Sequence, residues 1–251
     1  MLPALKSEFR KLFTVRSTYI MIILALLLTA LFAFLIEGYY GESGSPAATL
    51  APTAYHEIVA NAGGMTVLFV SIIAVLFMAH EYRYNTIMYT LTANARRSRV
   101  LAAKLLVLSG FAVVFSLVIT LFALVMYQLG VGARGETLSP QKFDILVEFG
   151  RVVVYFVFYG LIGLLVAALL RNIVGAISVL LGLPIIVEPL LGLALKDNAV
   201  YLPITATDTI IGAALIQSDK LTPNSAMVVA GLYLVVGWSI TWLLFMKRDA
   251  N

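Results

Sequence analysis

Apolar residues fall in six long runs, and polar residues gather almost entirely between them. The runs cover about 18–36, 58–79, 105–129, 152–170, 173–195 and 226–246. Each is close to the ~20 residues that a helix needs to cross the hydrocarbon core of a bilayer. The residues within a run are apolar all round rather than at alternate positions, which excludes the strands of a β-barrel. The pattern therefore predicts an all-α polytopic membrane protein with six transmembrane helices. The fifth run is the least regular, because Pro184 and Pro189 interrupt it. The first is too long for the apolar core of a signal peptide, and Glu37-Gly38-Tyr39-Tyr40 follows it in place of a small-residue cleavage site.

The segments between the runs add detail. Over residues 2–16, Leu5, Phe9, Leu12 and Phe13 share one helical stripe while Lys6, Arg10 and Lys11 fall elsewhere. This is the pattern of a helix lying in the membrane interface. Residues 37–57 are rich in Gly, Ser, Pro and Ala, and the fourth and fifth runs are separated by little more than Arg171-Asn172. Within 196–225, Tyr201-Leu202-Pro203-Ile204 and the apolar stretch from Ile210 to Leu215 predict short re-entrant helices before the last span. Gly160, Gly163 and Ala167 form a small-residue stripe suited to close helix packing. Tyr19, Tyr39, Tyr40, Tyr127 and Trp242, near run ends, read as interfacial belts. No loop is long enough for a soluble domain, so residues 1–251 read as a single transmembrane domain.

Composition agrees. The chain is 61% hydrophobic and 12% charged, against about 25% charged in soluble domains. So few charges cannot cover a water-facing surface, which excludes a soluble enzyme and a disordered chain. With no cysteine, disulfides and thiolate chemistry are excluded as well. Six spans put both termini on one side. Placing them inside gives the inner segments 12 of the 17 Lys and Arg residues and 3 of the 13 acidic ones. That bias orients the chain N-in and C-in and makes the net charge of +4 topological, with no nucleic acid among the expected partners.

Catalytic motifs are incomplete. His56-Glu57 and His80-Glu81 each open a HExxH-like string, but Ala60 and Tyr84 stand where the second histidine belongs. The two histidines also fall on opposite sides of the membrane, so they cannot share a metal. Gly41-Glu42-Ser43-Gly44 lies in a loop and lacks a late histidine base, and Ser139-Pro140-Gln141-Lys142 matches SxxK by spacing alone. There is no GxxxxGK[ST] loop. The expectation is a non-enzymatic chain that holds no cofactor or metal.

The most individual stretch is the inner loop between spans 2 and 3. It reads His80-Glu81-Tyr82-Arg83-Tyr84-Asn85-Thr86-Ile87-Met88-Tyr89-Thr90-Leu91, a break at Thr92-Ala93-Asn94-Ala95, and then Arg96-Arg97-Ser98-Arg99 with Lys104 beyond. Tyr84, Ile87, Met88 and Leu91 recur at helical spacing, and Asn94 suits a helix stop. Arg96, Arg97, Arg99 and Lys104, taken alone, read as positive-inside anchors that snorkel to lipid phosphates.

The whole string resembles the ABC-2 type permease family, the membrane subunits of ATP-driven exporters. There the second span ends in Glu-aromatic-Arg, followed by Thr-Ile, Leu, a short break, paired arginines and a Lys. The matching positions are Glu81, Tyr82, Arg83, Thr86, Ile87, Leu91, Arg96, Arg97 and Lys104. Asn85 replaces the usual Gly, and Ala93-Asn94-Ala95 a break that often holds Pro. The resemblance implies that this loop is a cytoplasmic coupling helix docking on a separate cytosolic ABC ATPase, which carries the ATP and Mg. It also implies a second permease copy, a homodimer, in a lipid membrane. The location implied is the cell membrane, a prokaryotic inner membrane. Glu81, Tyr82, Arg83, Tyr84, Thr86, Ile87, Met88, Leu91, Arg96 and Arg97 would then couple ATPase motion to the spans, with Glu81 and Arg83 fixing the elbow below span 2. The spans, almost free of charge at mid-depth, suit an amphipathic or hydrophobic cargo moved outward. An ion-coupled secondary carrier and a substrate-capture subunit of a vitamin importer are the alternatives.

Glu188 is the one carboxylate inside an apolar run, where a charge is costly. Counted from Asn172 it lies about 24 Å along a helix, near the outer interface. It is expected to cap the re-entrant segment, to pair with Arg151, or to stand at an outer gate.

Overall fold

The computed structural model describes residues 2–40, 54–84, 86, 97–136, 144–214 and 220–247. Among these every regular element is helical. In order they are α1 (Leu2–Thr14), α2 (Arg16–Ala30) continuing as a π-helical stretch (Leu31–Tyr39), α3 (Ala54–Arg83), α4 (Arg97–Ala133), α5 (Ile145–Leu170) and α6 (Ile173–Gly182). A second π-helical stretch (Leu183–Val187) joins α6 to α7 (Glu188–Leu195). A 3₁₀ segment (Lys196–Tyr201), α8 (Pro203–Thr209) and α9 (Pro223–Lys247) follow.

Among the described residues, six helical stretches are long and apolar enough to cross a membrane: Arg16–Tyr39, Ala54–Arg83, Ser98–Ala133, Ile145–Leu170, Ile173–Tyr201 and Pro223–Leu244. They coincide with the six apolar runs. Most are longer, because helix continues into polar flanks such as Arg99 to Lys104, whose residues favour it. Local chemistry closes the ends. Asp144 accepts hydrogen bonds from the Leu146 and Val147 amides at the start of α5, and Asn172 accepts from Gly175 at the start of α6. Between them Arg171 takes a left-handed conformation, φ 52°, which stops α5 and reverses the chain in two residues. The break in the fifth span has a direct cause. Pro184 has no N–H to give the turn before it, and Pro189 repeats the defect one turn later, so the backbone widens between them.

Burial sets the architecture. In α3, 67% of the apolar window is buried, against 17% in the first, fifth and sixth spans. Helix α3 is the central strut, with α5 as its most extensive partner and α4 beside both. The α3–α5 crossing is close because Gly163 has no side chain. A Cβ there would stand 2.5 Å from the Ser71 carbonyl oxygen. The Ser71 hydroxyl also donates across the crossing to the Tyr159 carbonyl at 3.1 Å. Gly160 on the same stripe is different, since a Cβ there would meet only side-chain atoms at 3.8 Å and beyond. A second backbone crossing joins Gly38 to Gly130, at the far ends of the first and third spans.

Two sequence expectations change. Tyr127 is not an interfacial belt residue. It is 3% exposed and packs with Ala33, Ile58 and Val131, its ring 6.3 Å from that of Tyr55. Of the two short helices expected before the last span, one runs from Pro203 to Thr209, whereas Ile210 to Gly212 is a turn in which Gly212 has φ +77°; residues 215–219 lie outside the described residues.

The crossing predicts a contrast. Gly163→Ala should lower the stability of the purified protein by about 1–3 kcal/mol through overpacking. Gly160→Ala should leave it unchanged or raise it by about 0.5–1 kcal/mol through helix propensity. Thermal unfolding in detergent measures both, and equal effects would contradict the crossing.

Candidate functional site

Helix α1 buries Ala4, Glu8 and Leu12, one residue per turn on a single face. Leu12 is the apolar anchor of that face, and Glu8 places a carboxylate in the middle of it. Two other elements bring charges to the same point. Glu81 stands near the end of α3 and Lys104 two turns into α4. Glu8, Glu81 and Lys104 are 3%, 7% and 1% exposed at the side chain. The Lys104 ammonium lies 2.7 Å from Glu8 Oε2 and 3.0 Å from Glu81 Oε1. Lys11, one turn on from Glu8, lies 2.6 Å from Glu8 Oε1 and 2.6 Å from Glu81 Oε1. Two carboxylates and two ammonium groups thus form one neutral cluster that ties α1, α3 and α4 together. Lys104 also sits 4.3 Å above the Phe77 ring. Burial would lower the Lys11 pKa, but the Glu81 and Glu8 carboxylates outweigh it and hold the ammonium above its ordinary value.

The expected coupling residues are distributed around this cluster. Glu81 is a member of it. Tyr82 is half-buried, with the Arg171 guanidinium 5.1 Å over its ring. This joins the end of the second span to the tight link between the fourth and fifth. Arg83 and Tyr84 are exposed and stack on each other at 5.7 Å, and Thr86 is exposed beyond them. Glu81 is thus buried at the elbow while Arg83 points away from it. Ile87, Met88, Leu91 and Arg96 lie outside the described residues, and Arg97 is the first residue of α4. Lys104 differs from its expected role: with 1% of its side chain exposed, it is an interior ion-pair partner and does not reach toward lipid phosphates. In α1, Leu12 is buried, whereas Phe9 is 56% exposed and lines an apolar groove against α4 with Leu5 and Phe13.

A second polar group lies at the opposite end of α3 and α5. Glu188 Oε1 accepts from the Ile204 amide at 2.7 Å, and Oε2 accepts from the Thr205 amide and hydroxyl, each at 2.7 Å. Glu188 therefore caps the start of α8. It does not pair with Arg151, whose guanidinium binds Glu148 at 3.1 Å one turn earlier on α5. The cap holds α8 so that Asp208, near its end, meets α5. Tyr159 donates to Asp208 Oδ1 at 2.7 Å and Tyr155 to the same oxygen at 3.1 Å. Burial pushes the Asp208 carboxyl up to about 7, although the two tyrosine hydroxyls favour its charged form.

Sequence reasoning missed Glu8, Lys11, Asp208, Tyr155 and Tyr159 as site residues. One signal was present: Tyr155 and Tyr159 are spaced four apart on α5, so both hydroxyls project from one face. No group of three or more potential metal ligands occurs among the described residues.

A family model described as ABC-2 family transporter protein matches residues 4–181. The match spans α1 to α6, so it includes the whole charge cluster and stops short of Glu188 and Asp208. No curated protein matches the chain.

Lys104→Met should destabilise the protein strongly, by about 3–5 kcal/mol, because it leaves two buried carboxylates with one ammonium between them. Arg10→Met, at an exposed position on α1, should fall within about 0.5 kcal/mol of the parent. Thermal unfolding in one detergent checks the pair. A Lys104→Met protein as stable as Arg10→Met would show that the cluster does not hold α1 in place.

Proposed function

The chain belongs to the ABC-2 family of transporters, and from that premise we propose that it is the permease of an exporter driven by a separate ATPase. On this reading both termini lie in the cytoplasm, which is supported by the 12 of the 17 basic residues that fall on that side. The loop from Asn85 to Arg96 is the coupling segment. It docks on a cytosolic ABC ATPase that holds ATP and Mg²⁺, and two permease copies complete the transporter in the cell membrane. The cargo is amphipathic or hydrophobic and moves outward, in keeping with spans almost free of fixed charge at mid-depth.

The observation that carries this reading is the charge cluster. A push on a loop moves a bundle only if the loop's ends are fixed to it. Here the helix entering the loop is held through Glu81, the helix leaving it through Lys104, and both are clamped to α1 through Glu8 and Lys11. Force applied to residues 85–96 would reach α3 and α4 together. Tyr82 against Arg171 would pass part of it to the fourth and fifth spans. Family membership weighs against the ion-coupled carrier and the vitamin-capture subunit.

The chain has no cysteine, so one introduced thiol reports on motion without knowledge of the cargo. In the reconstituted complex with its ATPase, maleimide labelling of Lys196→Cys should change about fivefold on trapping with ATP and vanadate. Adding Glu81→Ala should abolish that change while insertion, assembly and ATP hydrolysis persist. Glu81→Gln, which keeps the side-chain shape, should weaken it in the same direction. An unchanged response in both variants would overturn the elbow's role.

A further inference from the structure

The Asp208 carboxylate does more than close a turn. It lines a cavity of about 370 Å³ whose walls come from α3, α5 and the proline-broken fifth span, with Gly64, Val67, Leu68, Tyr155, Tyr159 and Ile185 among its lining residues. Both tyrosine hydroxyls converge on Oδ1, and Oδ2 has no protein partner among the described residues. No Lys, Arg or His forms an ion pair with Asp208 there either. The charged and titratable groups facing it are Tyr155 and Tyr159 from α5 and Glu188 from α7. The Glu188 carboxylate is already satisfied by three donors from α8. From α3 the cavity residues are Gly64, Val67 and Leu68, and His56, farther along that helix, lies beside Gly212 with its Nδ1 3.0 Å from Glu148 Oε2.

A half-buried carboxylate set among apolar walls without a cation is a costly arrangement. Two hydroxyl donors on one oxygen fix its position and leave the other oxygen for a further donor. Apolar walls beside it accept hydrocarbon. We infer that this cavity is a binding site for an amphiphilic amine, whose ammonium pairs with Asp208 while its apolar body lies against Val67, Leu68 and Ile185. An anionic or zwitterionic head would bring a second negative charge to Asp208 and Glu188, and a neutral one would leave the carboxylate unpaired. The amine binds the ionised carboxylate, so below the Asp208 pKa of about 7 binding must expel the carboxyl proton to solvent. Affinity therefore rises with pH and levels off above neutrality, while the amine itself stays protonated. That the amine is cargo rests on the permease reading; that it binds does not.

The test is equilibrium binding of the fluorescent amine monodansylcadaverine to the full chain in nanodiscs, with empty nanodiscs subtracted. It needs no ATPase, so its failure would remove this site and leave the coupling proposal standing, while failure of the vanadate experiment would leave this site untouched. The expected result is saturable binding that strengthens about thirtyfold from pH 5.5 to 8.5. Asp208→Asn, which keeps an acceptor for both tyrosines, should weaken binding at pH 8 about tenfold or more and remove the pH dependence. Its unfolding temperature should stay close to the parent's. Tyr159→Phe should weaken binding less. Dansylglycine, with a carboxylate in place of the amine, should not bind. No saturable binding by the parent chain, equal binding by Asp208→Asn, or equal binding of dansylglycine would each overturn the proposal.

Discussion

Four charges that are neutral only as a set govern this structure. Glu8, Lys11, Glu81 and Lys104 come from three helices, and the most buried of them, Lys104, touches both carboxylates. Burying any one alone would cost several kcal/mol, so α1, the end of α3 and the start of α4 must meet where they do. A buried ion cluster of this kind contributes less to net stability than an apolar core of equal volume. What it supplies is a fixed geometry at one end of the bundle, beside the loop the family is expected to use for its ATPase. Helix α1 is accordingly part of the packed body, bound to it by Glu8, Leu12 and Lys11, while Leu2, Lys6, Phe9 and Arg10 are among its exposed residues.

From this anchored end, rigid contacts run the length of the bundle. Helix α3 carries Glu81 at one end and the cavity residues Gly64, Val67 and Leu68 toward the other. Midway, Ser71 bonds to the Tyr159 carbonyl across the crossing that Gly163 permits. The side chain of that same Tyr159 holds Asp208. Charge cluster, helix crossing and far cavity are thus linked by two helices packed backbone to backbone. Under the proposed coupling, a displacement at Glu81 would reach the wall of the Asp208 cavity through these two helices. The fifth span, opened by Pro184 and Pro189, is the one part of that wall whose own helix is interrupted.

The sequence made the six spans legible because the length of an apolar run is a local property, and the structure places all six on the expected runs. Glu81 was singled out too, through the resemblance of Glu81-Tyr82-Arg83 to the family's Glu-aromatic-Arg string. Its partners were not. Glu8 and Lys11 sit on an amphipathic helix where a charge reads as a solvated face, and only tertiary packing turns that face inward. Lys104 belongs to a basic cluster that orientation alone explains, yet it is 1% exposed. Glu188 stood out by its cost in lipid, and its cap on α8 followed, but the rival partner Arg151 went to the nearer Glu148. Asp208 carried no signal at all, because its tyrosines lie 53 and 49 residues away and the proline break that shapes the cavity joins them only in three dimensions.

The central claim is that ATPase motion enters through the loop beyond Glu81. Site-specific cross-linking tests it most directly, because the chain has no thiol of its own. A single cysteine at Met88→Cys, treated with a short bifunctional maleimide in native membranes, should join the chain to a soluble ABC ATPase. The same reagent on Lys196→Cys should give no such product. Cross-linking to the ATPase from Lys196→Cys but not from Met88→Cys, or from neither, would contradict the account.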